Sequence, residues 1–428
     1  MGGQGEAGGM MMKLQALLLG GMGLALLSGG AQAADVSTLS GFDACDSLGL
    51  SGITLSSGTN CLAVSGGVHF KFTAGDYETG RSVFGEFAYT GEDFSVSDDD
   101  GLSDYSTRID TWLSFVASSD SDFGPARAVL LLREVDYLIR DGFDIYADED
   151  DTGGLELDNA YVSIGDSTVL MAGRKSSLAN LEDDLPFNFL GLFNSEAVEY
   201  GAGFDEEYDP EDSRHVIQIV SDLGNGFSVG AGLEDLESTG TAVGVISYGS
   251  DALTGHMTVL ARNLFGEDAD LSMHAGLSAA FDKIALRAAV AADDDGWWNV
   301  LGSAAAVFDI FTLAASAEAT SADEYGFGIS ASAQVTEGIA INAGFRWFDP
   351  EGSEAGYQAA AQVVAAVTET IKITGEVGLY AGEFSDDTYY GLANVAWAPG
   401  GGFVSSLQGE ANSQGAYKVT LSGTKSFE

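Results

Sequence analysis

From Arg214 to the last residue the chain repeats one unit, a strand of about ten residues with apolar and polar side chains alternating, then a break. The breaks alternate in kind. Tight ones (Gly224-Asn225-Gly226, Asp282-Lys283, Asp309-Ile310, Glu337-Gly338, Glu369-Thr370 and Gly400-Gly401-Gly402) take turns with acidic ones (Glu234 to Glu237, Glu267 to Asp270, Asp293 to Asp295, Asp323-Glu324, Asp349 to Glu354 and Asp386-Asp387). Short turns at one end and charged loops at the other fit an all-β chain folded as a transmembrane, antiparallel up-and-down barrel. The pattern also orients it. The tight turns belong in the periplasm and the acidic loops outside the cell.

The N-terminus points to the same compartment. Lys13 precedes the apolar run Leu14 to Leu27, and Ala31-Gln32-Ala33 offers a cleavage site, so residues 1–33 read as a leader after an overlong start. That run is shorter than the roughly 20 apolar residues a membrane helix needs. Later stretches are interrupted sooner, so a membrane span here has to be a closed barrel.

Charge narrows the function classes. The formal net charge is −48, and it stays there without the leader, which carries only Glu6 and Lys13. Nucleic acid is excluded as a partner, because neutralising phosphates needs clustered Lys and Arg. Such charge usually means disorder. Here 45% of residues are hydrophobic and fall on strand faces, so the charge belongs in loops and a lumen. The 58 glycines suit tight turns, and the 5 prolines spare the ladder its donors.

Cys45 and Cys61 are the only cysteines, with fifteen residues between them. In an oxidising periplasm a disulfide is expected, stabilising by roughly 3 kcal/mol through loop closure. Two thiols without a nearby histidine make a poor metal site. No metal or cofactor is expected. The domain reading is a leader at 1–33, a periplasmic segment held by the disulfide at 34–60, and a barrel at 61–428.

Several strands show their faces directly. Ile371, Ile373, Val377 and Leu379 oppose Lys372, Thr374, Glu376 and Tyr380. Ile339, Ile341, Phe345 and Trp347 oppose Asn342 and Arg346. Tyr417, Val419, Leu421 and Phe427 oppose Lys418, Thr420, Ser422 and Thr424. With no second sheet to cover it, the apolar face is expected to meet lipid. Aromatics near strand ends (Trp297, Trp298, Trp347, Phe348, Tyr389, Tyr390, Trp397 and Phe403) read as interfacial girdles.

Before Arg214, strands are expected at Leu62 to Thr73, Tyr105 to Ala117, Ala126 to Tyr137, Leu155 to Ile164 and Thr168 to Arg174. Turns fall at Ser119 to Pro125 and at Gly165-Asp166-Ser167, and an acidic loop at Asp141 to Gly154. Ser82 to Thr90 fits either a loop hairpin or a further strand. With the fifteen strands after Arg214 the count is twenty. A barrel of about 16 to 20 strands is wide enough for a water-filled channel.

Between Arg174 and Arg214, at about 175–213, some forty residues lack a strand partner, and loops this long are usually functional. The loop is acidic (Glu182, Asp183, Asp184, Glu196, Glu199) yet rich in Leu185, Pro186, Phe187, Phe189, Leu190, Leu192 and Phe193. Folding inward would bury those apolar groups and narrow the pore. Seven of the 17 basic residues (Arg81, Arg108, Arg127, Arg133, Arg140, Arg174, Lys175) cluster nearby in sequence. Arg108 shares a face with Asp110 and Ser114 and so points into the lumen, and Arg127 and Arg133 share one phase of the next strand. Acids on the loop facing Arg81, Arg108, Arg127, Arg133 and Arg174 on the wall would set a transverse field at a constriction. The plainer alternative pairs these arginines with local carboxylates such as Glu134 and Asp136.

These features carry a family resemblance. The strand ending Ala172-Gly173-Arg174, followed by a long loop rich in Leu, Phe and acid, resembles the fifth strand and inward-folded third loop of trimeric Gram-negative porins. The segment Ser57-Gly58-Thr59-Asn60-Cys61-Leu62, with Ser65-Gly66-Gly67-Val68 after it, is similar to the start of alphaproteobacterial porins, which pair such a cysteine with one just upstream. The resemblance implies a homotrimer in the outer membrane, contacts with its lipid and lipopolysaccharide, insertion by barrel-assembly machinery, and passive diffusion of small solutes and ions. There are two departures. Family barrels mostly have 16 strands, and they end on the phenylalanine that signals assembly, whereas here Glu428 follows Phe427.

Three other functions compete with a diffusion channel. A barrel-embedded hydrolase needs a nucleophile and base in reach, but His69, His215, His256 and His274 fall in different expected strands and no G-x-S-x-G or H-E-x-x-H occurs. A cation-binding surface protein could use Asp98-Asp99-Asp100, Asp148 to Asp151 or Asp293 to Asp295, but no EF-hand spacing organises them. A substrate-selective channel would show lumen aromatics or a same-sign ladder. The expectation is a channel with weak to moderate cation preference from its acidic mouth.

Overall fold

The computed structural model describes residues 52–77, 104–141, 144–147, 154–179, 186–189, 212–266, 269–349, 355–382, 385–413 and 415–427, with Cys45, Leu48, Leu50 and Pro210 besides. The leader expected at 1–33, Arg81, Ser82 to Thr90, Asp98 to Asp100, Asp148 to Asp151 and Glu428 lie outside the described residues.

Strands run β1 (Ile53–Ser57), β2 (Asn60–Asp76), β3 (Asp104–Ser119), β4 (Ala126–Asp141), β5 (Asp144–Ala147), β6 (Glu156–Gly165), β7 (Thr168–Lys175), β8 (Arg214–Gly224), β9 (Phe227–Glu234), β10 (Thr241–Gly249) and β11 (Leu253–Arg262). They continue as β12 (Asp270–Phe281), β13 (Ile284–Asp293), β14 (Trp298–Phe308), β15 (Phe311–Thr320), β16 (Tyr325–Thr336), β17 (Ile339–Asp349), β18 (Gly356–Ala366), β19 (Ile371–Gly382), β20 (Ser385–Gly400), β21 (Phe403–Asn412) and β22 (Tyr417–Phe427).

All belong to one antiparallel sheet in which consecutive strands pair, except that β4 passes β5 to pair with β6. The sheet closes on itself, because β22 pairs with β2 from Gly66↔Phe427 to Asp76↔Tyr417. Two strands stand outside the ring. β1 is a hairpin on the first residues of β2, and β5 is one on the last residues of β4, whose next ring partner is β6. Twenty strands therefore form the wall. The acidic loop expected at Asp141 to Gly154 contains the short strand β5, which the two-residue period did not reveal in only four residues.

The tight turns have a local cause. Gly224, Asn225 and Gly226 have φ of 77°, 55° and 85°, and Asp282 and Asp309 have 49° and 57°. Two-residue hairpins want such left-handed backbone because it follows the twist of the strands, and Gly, Asn and Asp tolerate it best. Gly173 answers another need. A Cβ there would lie 2.2 Å from the Ala160 carbonyl oxygen, so only glycine lets β7 lie against β6.

The alternation sets the faces as expected. Ile373 and Val377 are 42% and 65% exposed, while Glu376 and Tyr380 between and beyond them are 2% and 3% exposed. Ile339, Ile341, Tyr417, Val419 and Leu421 likewise face out, and Asn342 and Arg346 face in. The girdle reading needs a correction. Trp298, Tyr389 and Trp397 face out, but Phe348 and Tyr390 are buried on the inner face. Consecutive strand residues point to opposite sides, so of Trp347-Phe348 and Tyr389-Tyr390 only the first of each lies on the outside.

With strands about 4.8 Å apart and tilted near 40°, twenty of them enclose a ring roughly 40 Å across. Side chains alone do not fill that width. Cys45 and Cys61 form the expected disulfide, Cα atoms 5.1 Å apart. They make a small buried cluster with Leu48, against which Leu50 packs. Among the described residues no helix is long and apolar enough to cross a membrane.

Candidate functional site, the barrel lumen

The arginines of β3 and β4 form a column on the inner wall. Ile109 on β3 and Leu130 and Leu138 on β4 mark the outward phase, which leaves Arg108, Arg127 and Arg133 inward. In register, Arg108 lies across from Lys71 on β2 and Tyr137 on β4, Trp112 faces Arg133, and Ser118 faces Arg127. At about 3.4 Å per residue the ten positions from Arg127 to Tyr137 span roughly 34 Å of strand. The arginines are therefore stacked along the channel, not gathered in one ring. Glu134 and Asp136 have the opposite phase and are exposed, so they are not the arginines' partners. Arg108 instead donates to Asp110 on its own strand, Nε to Oδ1 at 2.9 Å, and its guanidinium stands 6.0 Å over the Tyr137 ring. Arg127 donates from Nη2 to the Leu48 carbonyl at 3.3 Å, which ties the disulfide-closed segment to the tight-turn end of this wall.

Arg174 differs from expectation. It pairs with Ala160 and His215 in the phase of the exposed Leu170 and Ile217, so it lies on the outer face. Its neighbour Lys175 takes the inward position and stands 5.8 Å over the Tyr161 ring. The two-residue period decides this: the Gly-Arg junction places the arginine one step out of phase with Met171 and Gly173.

Leu178, Ala179, Phe187 and Phe189 of the long connection between β7 and β8 lie against the inner wall. Leu178 and Ala179 pack on the inward side chains of Val243 and Leu260. The Leu178 amide donates to Glu234 Oε1 at 3.0 Å. Gln218 Nε2 donates to the same oxygen at 2.8 Å and to the Ser176 carbonyl at 3.0 Å. Further along, Phe187 and Phe189 cluster with Ala285, Ala305 and Ala314 on β13, β14 and β15. The Phe187 amide donates to Ser303 Oγ at 2.9 Å and the Phe189 amide to Ser330 Oγ at 3.2 Å. Arg287 stands 4.8 Å over the Phe187 ring. Counted round the ring, β15 is ten strands on from β4, so this anchorage is opposite the arginine column. Glu182, Asp183, Asp184, Glu196 and Glu199 lie outside the described residues.

Sequence reasoning missed the anchors. Glu234 read as part of an acidic break, yet it ends β9 on the inner face and is 0% exposed. The available signal was its phase, two residues on from Gly232. Ser303 and Ser330 carried no signal, since serine on an inward strand position is ordinary.

Beyond the anchorage the inner wall is a hydrogen-bonded polar surface. Asn342 Nδ2 donates to Gln362 Oε1 and Gln362 Nε2 to Glu376 Oε2, both at 2.9 Å. Gln358 Nε2 donates to the Tyr390 hydroxyl at 3.0 Å. His256 and His274 meet on neighbouring strands, Nε2 to Nδ1 at 2.8 Å. At the loop rim, burial pushes the Asp235 carboxyl above the usual carboxylate range, with Arg214 pulling it down and Glu237 pushing it up.

No family model matches the sequence, and no curated protein matches it. Among solved structures, the anion-selective porin from Comamonas acidovorans is 14% identical with a TM-score of 0.41, covering 86% of this chain and 100% of that one. A mutant of the Rh. blastica porin is 12% identical with a TM-score of 0.41 over the same shares. A loop-deletion mutant of OmpT from Vibrio cholerae is 9% identical with a TM-score of 0.34, covering 86% and 99%. At these scores the likenesses carry no weight, and the barrel stands on its own strand pairing.

Proposed function

We propose that the chain is an outer-membrane porin, a water-filled channel for passive diffusion of small hydrophilic solutes and ions. The observation that carries this is the closed ring of twenty strands, apolar outside and polar inside, with charged side chains along the lumen. A ring of this width needs an inserted segment to restrict it. We assign that role to the chain between Lys175 and Arg214, a reading supported by Phe187 and Phe189, which lie against the wall opposite Arg108, Arg127 and Arg133. The acids Glu182, Asp183, Asp184, Glu196 and Glu199 of the same stretch are proposed as the acidic side of that constriction. Arg174 is left out of that column by its phase.

The same reading places the chain in the outer membrane of a Gram-negative cell as a homotrimer, in contact with lipid and lipopolysaccharide. Phe427, last residue of β22, serves as the assembly signal for the insertion machinery. The excess of carboxylates at the mouth concentrates cations there, giving a weak to moderate cation preference.

The test is the conductance and reversal potential of the purified protein in a planar bilayer under a KCl gradient. Ohmic steps in threes with a potassium-favouring potential are expected. A chloride-favouring potential would keep the porin and assign selectivity to the arginine column. Absence of conductance from correctly folded protein would overturn the diffusion-pore reading.

A further inference from the structure

The inner face of β11 carries His256, Thr258 and Leu260 in succession, and on β12 His274 lies directly across from Thr258. The two histidines approach through nitrogen: His256 Nε2 and His274 Nδ1 are 2.8 Å apart. Their planes differ by 14° while the ring centroids stay 4.9 Å apart. Rings that are nearly parallel, with touching nitrogens and distant centres, meet edge to edge. Each points the in-plane N–H or lone pair of one nitrogen at the other.

A neutral imidazole has one N–H and one lone pair. In the hydrogen-bonded pair one facing nitrogen carries the proton and the other accepts. Moving that proton to the far nitrogen of its own ring leaves two bare lone pairs aimed at the same point, with no change in charge. That is a two-nitrogen claw for a metal ion. A third donor lies beside it. Thr258 is 0% exposed, and its Oγ1 has no hydrogen-bond partner among the described residues. Leaving a buried hydroxyl unpaired is unfavourable, and a ligand at this point would relieve that.

We propose that His256 and His274, with the Thr258 hydroxyl beside them, form a binding site for a divalent transition-metal ion of the zinc and copper class on the lumen wall. Imidazole nitrogen suits these ions and not calcium, which takes oxygen. Metal–nitrogen bonds of about 2.0–2.1 Å at a tetrahedral angle put the two nitrogens roughly 3.4 Å apart. The rings therefore have to part by about half an ångström and turn by roughly 35° each, so that both lone pairs converge on an ion beside the line joining them. The site adjoins the root of the inserted segment, because Leu260, next inward residue after Thr258, packs with Ala179 and Leu178. A bound ion would add positive charge to the lumen at that point.

The experiment uses the untagged full chain, folded in detergent, with Cu²⁺ added at neutral pH and excess Ca²⁺ present to occupy the acidic loops. Electron paramagnetic resonance reads nitrogen coupling to the copper. Coupling to two imidazole nitrogens is expected, reduced to one in His256→Gln and absent in the double variant His256→Gln, His274→Gln. His69→Gln and His215→Gln should leave the signal unchanged. Heat-modifiable migration on a gel reports folding, and if the double variant fails there the single variant decides. A wild-type spectrum without nitrogen coupling, or two-nitrogen coupling retained in His256→Gln, would overturn the proposal. The readout does not depend on channel activity, so it stands or falls apart from the porin reading.

Discussion

The β3–β4 wall and the β13–β16 wall have the same exterior and opposite interiors. Outside, both present alternate large apolar groups, such as Ile109 and Leu130 on one and Leu286, Val300 and Leu313 on the other. Inside, the first carries Arg108, Arg127 and Arg133, with Arg133 exposed to the lumen. The second carries mostly small groups that are almost fully covered, Ala285, Ala305 and Ala314 at 4% exposure each and Ser303 and Ser330 at 6%, and its Arg287 lies over the Phe187 ring instead of standing in open lumen. Small residues leave room for Phe187 and Phe189 to lie on the wall, and serine hydroxyls accept the amides of a segment that has left the sheet. Long basic residues stand off the wall and need open space. The lipid side holds every strand to one pattern, while the lumen side lets each wall specialise.

The sharpest way to break this contrast is to strip the second wall. Phe187→Ala with Phe189→Ala removes two buried aromatics, and such truncations cost about 3–5 kcal/mol each in a packed site. The anchorage should be lost while the sheet, which has other contacts, stays closed. Single-channel conductance is then expected to rise by roughly twofold, as the lumen widens at its narrowest level. Unchanged conductance would show that the anchored segment does not limit the pore.

The first wall is braced differently, through the disulfide-closed segment whose Leu48 carbonyl takes Arg127. Replacing Cys45 and Cys61 by serine should cost about 3 kcal/mol by freeing the unfolded chain. Urea unfolding of the refolded barrel measures this. The expected companion effect is noisier current, since Arg127 loses its partner at the tight-turn end of the column. Stability equal to wild type in oxidising buffer would place the bridge outside the cooperative barrel.

Selectivity should follow the walls as well. Arg133→Glu reverses a charge that stands in open lumen, and is expected to raise the potassium-to-chloride permeability ratio by about fivefold, close to 1 kcal/mol. Gln362→Glu, on the buried polar wall and hydrogen-bonded to Asn342 and Glu376, should move it far less. Equal shifts from the two would erase the distinction between an electrostatically open wall and a covered one.

Most of this architecture was legible because lipid enforces a period of two. The ring strands, the tight turns and the inward phase of Arg108, Arg127 and Arg133 all follow from that period. It also contains what was misread. Arg174 and the second aromatic of Trp347-Phe348 and of Tyr389-Tyr390 were assigned by neighbourhood in sequence, where phase alone decides the side. The His256–His274 meeting was not legible, since strand register is set by the whole hairpin: Thr258 and not His256 stands across from His274. The serines that hold the inserted segment gave no signal either, because their role depends on a segment over 100 positions away in the chain.

The smallest effect concerns the rim between the two walls. Asp235 sits in the β9–β10 connection in left-handed backbone, φ 53°. Burial raises its carboxyl above the ordinary value; Arg214 opposes the shift and Glu237 adds to it. A carboxyl whose folded value is raised holds its proton more tightly in the folded than in the unfolded chain. Below the unfolded value, near 3.9, both states are protonated and the group costs nothing. As pH rises through the folded value the folded state must give up that proton, and stability falls to a lower plateau at neutral pH. Asp235→Asn keeps a side chain that accepts left-handed backbone and removes the charge. It should stabilise the barrel at pH 7 by no more than about 0.5 kcal/mol and leave it unchanged at pH 3. The temperature of the heat-modifiable gel shift, taken at both pH values, reads the difference. A variant that gains at pH 3 as much as at pH 7 would mean that removing the charge is not the source of the gain.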